Sequence, residues 1–378
     1  MLENILLIVS TLLLIHYIIF MSIVYKGLSK LRQNSSNQIP ENFISVIIPF
    51  RNEAKNILKS LESIEAQHYP PDKFEVIYVD DFSTDDSVEI LGRNKNMKNI
   101  RIISVPADYS INAHKKRAVS YGIENSRGEI IVTTDADCIH DTIWLKSLLQ
   151  NFDEETGFVS GPVEFIDNRK LFSKIQKIEF AGLVLTGAGL IGSGKPTICN
   201  AANIAYKRKV YNKVGGFKDQ LNLSSGDDEL LMQKIARDTN YRIKFSTNKY
   251  SVVRTSSNKS IGEFYQQRKR WASKGLFYNN KTLIFKLILI YLFYICLIVQ
   301  VFLSFFLSWY FLISLILSLL LKVIFELIIV TKGKRLLFSR LSLKLFITAE
   351  FFQIFYIIVA GFMGMSGNLK WKERKIKR

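Results

Sequence analysis

Three stretches of the chain are apolar almost without interruption, and between them the pattern changes to short apolar runs set among polar segments. Residues 5–25 carry no charge, and His16 is their only titratable side chain apart from tyrosine. A run of roughly twenty such residues suits one bilayer crossing. A cleaved signal peptide fits less well, because no basic segment precedes the run and no small-x-small site follows it. Residues 283–330 are too long for one helix and predict a hairpin of two. Residues 345–365, with Glu350 and Gln353 inside, predict a further segment.

The stretch between these blocks, residues 43–282, predicts one α/β domain. FISVIIPF is a buried-type strand ending near Pro49. NEAKNILKSLESIEAQ follows with helical spacing, Ile57, Leu58, Leu61 and Ile64 falling on one face. FEVIYVDD is a second strand, and STDDSVEILGRN opens a helix with Ser83 or Thr84 as cap. IRIISV, KKRAVSYGIENS and EIIVTTDADC continue as strand, helix and strand. This alternation predicts a mostly parallel sheet with helices on both faces, whose ligand site lies beyond the carboxyl ends of the strands. Residues 27–42, which include QNSSNQIPEN, read as a linker.

Three of the four strands end in carboxylates: PFRNE, VDDFSTDD and TTDADC. A core has no use for that clustering. Like charges gathered at one sheet edge need counter-ions, and a divalent cation and helix N-termini are the natural ones. In Asp135-x-Asp137, strand geometry turns both side chains to the same side, so the pair can hold one hard cation, Mg2+ or Mn2+. A capped turn is the bland alternative.

Composition refines the picture. Of 378 residues, 48% are hydrophobic and 22% charged, which rules out disorder. Three widely spaced cysteines make neither a disulfide framework nor a zinc site. The net charge of +18 favours anionic partners. Its densest runs, Lys332 to Arg340 and Lys370 to Arg378, flank apolar segments, which points to membrane lipids and not to nucleic acid. Lys26, Lys30 and Arg32 follow the first segment, so the positive-inside rule places the domain in the cytoplasm. The same rule conflicts with three further crossings, because the tail at 367–378 would then lie outside with its six basic residues. Either the last segment is re-entrant or interfacial, or the rule is broken. Lys322 and Glu326, four apart, read as a mutual pair near the membrane surface or as a polar lining for substrate.

SVIIPFRNE, VDDFSTDD, TTDADC, GDDELL and QQRKRW, in this order, resemble the motif series of family 2 glycosyltransferases with the GT-A fold. The membrane-bound branch, which includes cellulose-, chitin- and hyaluronan-synthase-like enzymes, is the most similar. The resemblance covers residues 43–275, with the flanking membrane regions 1–26 and 283–366 in keeping. It implies an inverting, metal-dependent transfer from a nucleotide-diphospho-sugar, a UDP-sugar foremost, to a lipid-linked or glycan acceptor at the cytoplasmic face of the cell membrane. Pro49, Glu53, Asp80, Asp81, Lys115 and Asp135 would line the nucleotide-sugar site. Asp135 and Asp137 would hold the metal.

SSGDDELLMQK resembles the family's Thr-Glu-Asp-x-x-Leu-x-x-Arg motif when Leu231 takes the leucine and Lys234 the arginine position. Asp228 is then the general base and Asp227 its neighbour. Two adjacent carboxylates can also raise one pKa, which suits a base. Gln267, Arg270 and Trp271 match Gln-x-x-Arg-Trp, with Arg270 on the diphosphate and Trp271 under an acceptor sugar. Asn203, in NAANIAYKRKVYNKVGGF, would touch donor or acceptor, and Gly215 and Gly216 make a turn. Cys138 reads as a packing residue. A nucleotidyltransferase of similar fold would share the Asp-x-Asp pair but leave Gln-x-x-Arg-Trp and the membrane hairpin unexplained. A non-catalytic membrane scaffold would need none of these carboxylates.

Overall fold

The computed structural model describes residues 1–31, 41–109, 111, 114–218, 226, 228–275, 278, 280–365, 369–371 and 374–376. Strands β1 (Ile44–Phe50), β2 (Phe74–Asp80), β3 (Ile100–Ser104) and β4 (Ile130–Thr133) pair in parallel, in the order β3-β2-β1-β4. β1 and β2 are buried along their whole length, which is why they read as unbroken apolar runs and not as alternating ones. Their alternate residues serve two cores. Ile47, Ile77 and Val79 pack with Val119 and Ile123 of α4 (His114–Glu124). Val46, Ile48 and Tyr78 pack on the other face with Ile57, Leu61 and Ile64 of α2 (Ile57–Glu65) and Leu91 of α3 (Ser87–Asn94). Leu58 departs from the expected face and is 37% exposed. α3 also starts later than expected, with Asp86 at its N-cap, because Ser83 and Thr84 are engaged with the loop after β1.

Beyond β4 the sheet continues with β7 (Ile204–Lys207), β5 (Thr156–Ser160) and β8 (Arg242–Phe245). β7 is antiparallel to both β4 and β5. β6 (Val163–Phe165) and β9 (Val253–Thr255) form a separate parallel pair. Short helices α5 (Trp144–Leu149), α7 (Arg208–Lys213) and α8 (Glu229–Asp238) complete the domain, with α9 (Ile261–Ala272) beside the long apolar helices. Gly215 and Gly216 have φ of 72° and 54°, a turn only glycine adopts easily.

Among the described residues, five helices are long and apolar enough to cross a membrane. α1 (Leu2–Lys30), α10 (Lys281–Phe306), α11 (Tyr310–Leu336) and α12 (Phe346–Met365) answer to the three sequence blocks, with the hairpin resolved into α10 and α11. The fifth, α6 (Leu171–Gly192), lies within the α/β domain, where the sequence pattern predicts no long apolar helix. It packs against α1, α11 and α12. A Cβ on Gly27 of α1 would lie 1.7 Å from the carbonyl oxygen of Gly189, and one on Gly192 would lie 2.4 Å from that of Gly27. Only glycines permit such an approach, the small-residue packing typical of membrane helices.

α11 and α12 both end against the domain. Near the end of α11, Gly333 meets Leu185 of α6 and Lys332 donates to Ser29 of α1. At the end of α12, a Cβ on Gly364 would touch Ala272 and Ser273 of α9 at 3.0 and 3.2 Å. The chain from 337 to 364 therefore leaves and rejoins the α/β domain's side. The side chains of the basic tail lie outside the described residues.

Lys322 and Glu326 are not surface partners. Lys322 is fully buried in the middle of α11, bonded to Glu326 at 2.9 Å, to Gln353 at 2.7 Å and to Glu350 of α12. Tyr17 of α1 donates to Glu326 as well.

Candidate active site

The loops after β1 and β2 are laced together before any ligand is considered. Thr84 N–H donates to the Asn52 side chain at 2.8 Å, and Asn52 N–H to Ser83 Oγ at 3.1 Å. Asn52 and Phe82 hold left-handed backbone, φ 52° and 60°, which is costly for a ring-bearing residue and clusters at functional sites. Asp80, 6% exposed, accepts the Ser83 N–H at 2.9 Å. Asp81, 2% exposed, accepts from Arg117 Nε at 3.0 Å and from its terminal nitrogen, and the guanidinium lies 4.8 Å from the Phe82 ring centre. Arg117 is a partner the sequence reading did not name. Pro49 is buried in β1, and Glu53 accepts from Asn56 at 2.8 Å. These four predicted residues form one end of the sheet edge but do not line the main cavity.

That cavity, about 560 Å³, collects seven of the others: Lys115, Asp135, Asp137, Asp228, Gln267, Arg270 and Trp271 all line it. Lys115, at the start of α4, bonds Asp135 at 2.5 Å. Asp137 accepts from Thr255 Oγ1 at 3.1 Å. Among the described residues no group of three or more His, Cys, Asp or Glu could hold a metal ion. The two carboxylates nevertheless suit Mg2+ or Mn2+, which take hard oxygen ligands and use one or two carboxylates alongside substrate phosphates. Cys138 is buried, and burial with Asp137 and Asp135 nearby pushes its thiol up, which rules it out as a ready nucleophile.

Asp228 caps α8. Its carboxylate accepts the N–H of Glu229 at 2.8 Å and that of Ala201 at 3.0 Å, which pins α8 to the chain entering β7. Burial pushes this group up, but the Lys274 charge and the Glu229 N–H outweigh burial and hold it below the usual carboxylate value. The carboxylate raised instead is Glu229, through burial and, against the pull of Lys274, the charge of Asp228. Glu229 accepts from Tyr278 at 2.8 Å and sits 3.2 Å from Lys274. Sequence reading had expected adjacent carboxylates to raise the base. Asp227 lies outside the described residues.

Gln267 of α9 accepts from Asn258 at 2.9 Å and from Arg268 at 2.7 Å. Arg268, overlooked within the motif, is 4% exposed, paired with Glu179 of α6 and stacked over Trp271 at 4.3 Å. Trp271 also rests on Phe180.

Asn203 is not brought to the cavity. It is fully buried, donating to the carbonyls of Pro162 (2.8 Å) and Ser251 (2.7 Å) and accepting from Trp144 (3.1 Å). Its amide is spent on joining strands. Trp144 in turn stacks on His140, which burial lowers to about 3, so that histidine is a neutral core group.

The parallel sheet, the switch to antiparallel β7 and the carboxylate-lined edge define a nucleotide-sugar transferase fold. Residues 45–215 match the family model "Glycosyl transferase family 2". The chain is similar to glycosyltransferase AglE of Haloferax volcanii, 29% identical over 231 residues, 60% of this chain and 71% of AglE. It is 24% identical to poly-beta-1,6-N-acetyl-D-glucosamine synthase of Staphylococcus epidermidis over 281 residues, 69% of this chain and 64% of the synthase, less than two thirds of that relative's length. Mannosyltransferase PcManGT from Pyrobaculum calidifontis, solved with GDP-Man and Mn2+, has the same fold, with a TM-score of 0.58 at 20% identity, covering 95% of this chain and 99% of its own. Over residues 45–215 the chain carries a glycosyltransferase family 2 domain, and the protein is an enzyme.

Proposed function

We propose that the protein transfers a sugar with inversion from a UDP-sugar to a lipid-linked or glycan acceptor, at the cytoplasmic face of the cell membrane. The observation that carries this reading is the single cavity in which Lys115, Asp135 and Asp137 meet Asp228 and the Gln267–Arg270–Trp271 motif. Asp80, Asp81 and Glu53, at or just past the carboxyl ends of β2 and β1, would take the base and ribose. Asp135 and Asp137 would hold Mg2+ or Mn2+, which supplies charge neutralisation for the leaving nucleoside diphosphate. Arg270 suits diphosphate oxygens because a guanidinium binds two at once. Asp228 takes the proton of the attacking hydroxyl. Its lowered pKa keeps it ionised at neutral pH, and its two backbone bonds fix its direction. A single displacement with one base, and no second carboxylate as nucleophile, inverts the anomeric centre.

PcManGT, of the same fold, was solved with GDP-Man and Mn2+, which supports the broader class of nucleotide-diphospho-sugar donors and a divalent cation. For orientation, Lys26, Lys30, Lys332, Lys334 and Arg335 gather on the domain's side of α1 and α11, as the positive-inside rule requires of a cytoplasmic domain. In this reading residues 1–26 anchor, 27–42 link, 43–282 catalyse, and 283–366 form the C-terminal membrane region ahead of the basic tail.

The test is release of nucleoside diphosphate from a panel of UDP-, GDP- and dTDP-sugars by membranes holding the full chain, with and without Mn2+. Mn2+-dependent release from a UDP-sugar is expected. Release from GDP-sugars alone would overturn the uridine assignment, and no release from any donor would overturn the reading.

A further inference from the structure

The cavity does not end at the catalytic domain. Past Asp228 its wall becomes Leu287 and Ile288 of α10 and Ile357, Ala360 and Gly361 of α12, all on helices apolar and long enough to enter a membrane. The two helices meet closely at its end. A Cβ on Gly361 would lie 2.4 Å from the Tyr291 ring, and the Tyr291 hydroxyl donates to the Ile358 carbonyl at 3.0 Å. A water-soluble glycan has no use for such a wall, whereas a hydrocarbon chain gains from each methylene it buries there.

Where the polar and apolar halves join stands Arg268. Glu179 neutralises it and is itself bonded to Tyr356 of α12. The buried Arg268 Nε–H has no acceptor. An orphan buried donor is costly and is met by a ligand oxygen when one arrives. The charges beside it do not favour a phosphate. Lys274 faces both Asp228, at 3.6 Å, and Glu229, at 3.2 Å, so carboxylates outnumber cations among these described residues. An uncharged, hydroxyl-rich head fits this setting.

We propose that the acceptor is a glycolipid with an uncharged sugar head, its tail lying between α10 and α12 and a head oxygen accepting from Arg268 Nε–H. This rests on the glycosyltransferase reading of the same site. The acceptor hydroxyl oxygen forms the new bond to the anomeric carbon as the bond from that carbon to the diphosphate breaks. The nucleoside diphosphate departs with the electron pair, and the hydroxyl proton passes to Asp228.

The experiment supplies membranes of producing cells, holding the full chain, with radiolabelled donors from the panel above, and follows both transfer to endogenous acceptor and hydrolysis of donor to water. Label is expected in a product that extracts into organic solvent and survives the mild acid that splits a sugar from a lipid phosphate. Ile357→Trp fills the apolar half. Its ratio of transfer to hydrolysis should fall roughly 10–100-fold, the worth of one or two buried apolar contacts. Leu287→Trp, from the opposite wall, should do the same. Phe355→Trp, on the 45% exposed outer side of α12, should leave the ratio alone. Label only in water-soluble material, an acid-labile product, or an unchanged ratio in both cavity variants overturns the proposal. Absence of both hydrolysis and transfer with every donor instead marks failure of the glycosyltransferase reading, and the acceptor assignment falls with it.

Discussion

At the edge of the sheet buried Asp228 and Glu229 are ion-paired with half-buried Lys274, and inside the helix bundle Lys322, Glu326 and Glu350 are buried and ion-paired too. Each set holds two carboxylates and one lysine. Their surroundings differ. The first set faces a large cavity with Asp135, Asp137 and Arg270 on its walls. The second does not line that cavity, and it is closed by Tyr17, Tyr294 and Gln353, one from each of three different helices. Charge buried beside open space can act on a ligand. Charge buried among helices and satisfied there fixes how the helices sit, because alternative packings would strand it without partners.

The comparison breaks most sharply on substitution of one residue from each set. Asp228→Asn keeps the shape and removes the proton acceptor. Transfer should fall roughly 10²–10⁴-fold, the usual worth of a positioned base, while donor binding survives. If Asp228→Asn transfers normally, the base lies elsewhere, with Asp227 the first alternative. Lys322→Met should act on stability instead. Stripping one partner from a buried ionic set costs roughly 3–5 kcal/mol. Unfolding of the detergent-solubilised chain would report it, and adding Glu326→Gln and Glu350→Gln should recover most of the loss. Unaltered stability with lost transfer would assign this cluster to substrate handling.

A smaller effect sharpens the first set. In the proposed mechanism ionised Asp228 is the base, so activity should be lost as pH falls through its pKa. Lys274 holds that pKa low. Removing the cation in Lys274→Met should move the acid limb of kcat/KM to higher pH, and Lys274→Arg should restore it. An unmoved limb would mean that Lys274 acts on packing alone.

Much of this contrast was legible in the sequence. The strand ends announced themselves because parallel strands are apolar throughout and stop at polar residues. Asp135 and Asp137 therefore stood out, Asp228 was legible only through its resemblance to the family motif, and the structure brings all three to one cavity with the α9 motif. What escaped is what depends on partners distant in the chain. Asn203 looked like a free polar group beside a strand, but Trp144, Pro162 and Ser251 consume it. Arg268 and Glu179 are 89 residues apart and meet only because α6 runs under α9. α6 itself hid because Lys174, Lys177 and Glu179 interrupt its apolar pattern, and α1 and α12 cover the remainder. Lys322 and Glu326 were recognised as a pair, yet Glu350, which places them inside the bundle, arrives from another helix.

The central claim is that the sheet-edge cavity, and not the bundle, is where metal and nucleotide-sugar bind. Calorimetric titration of the full chain in detergent with the active donor and Mn2+ tests it directly, comparing the unmodified chain, Asp137→Asn and Lys322→Met. The account predicts Mn2+-dependent binding that Asp137→Asn abolishes and that folded Lys322→Met retains. Donor binding that persists in chelator, or in Asp137→Asn, would contradict it.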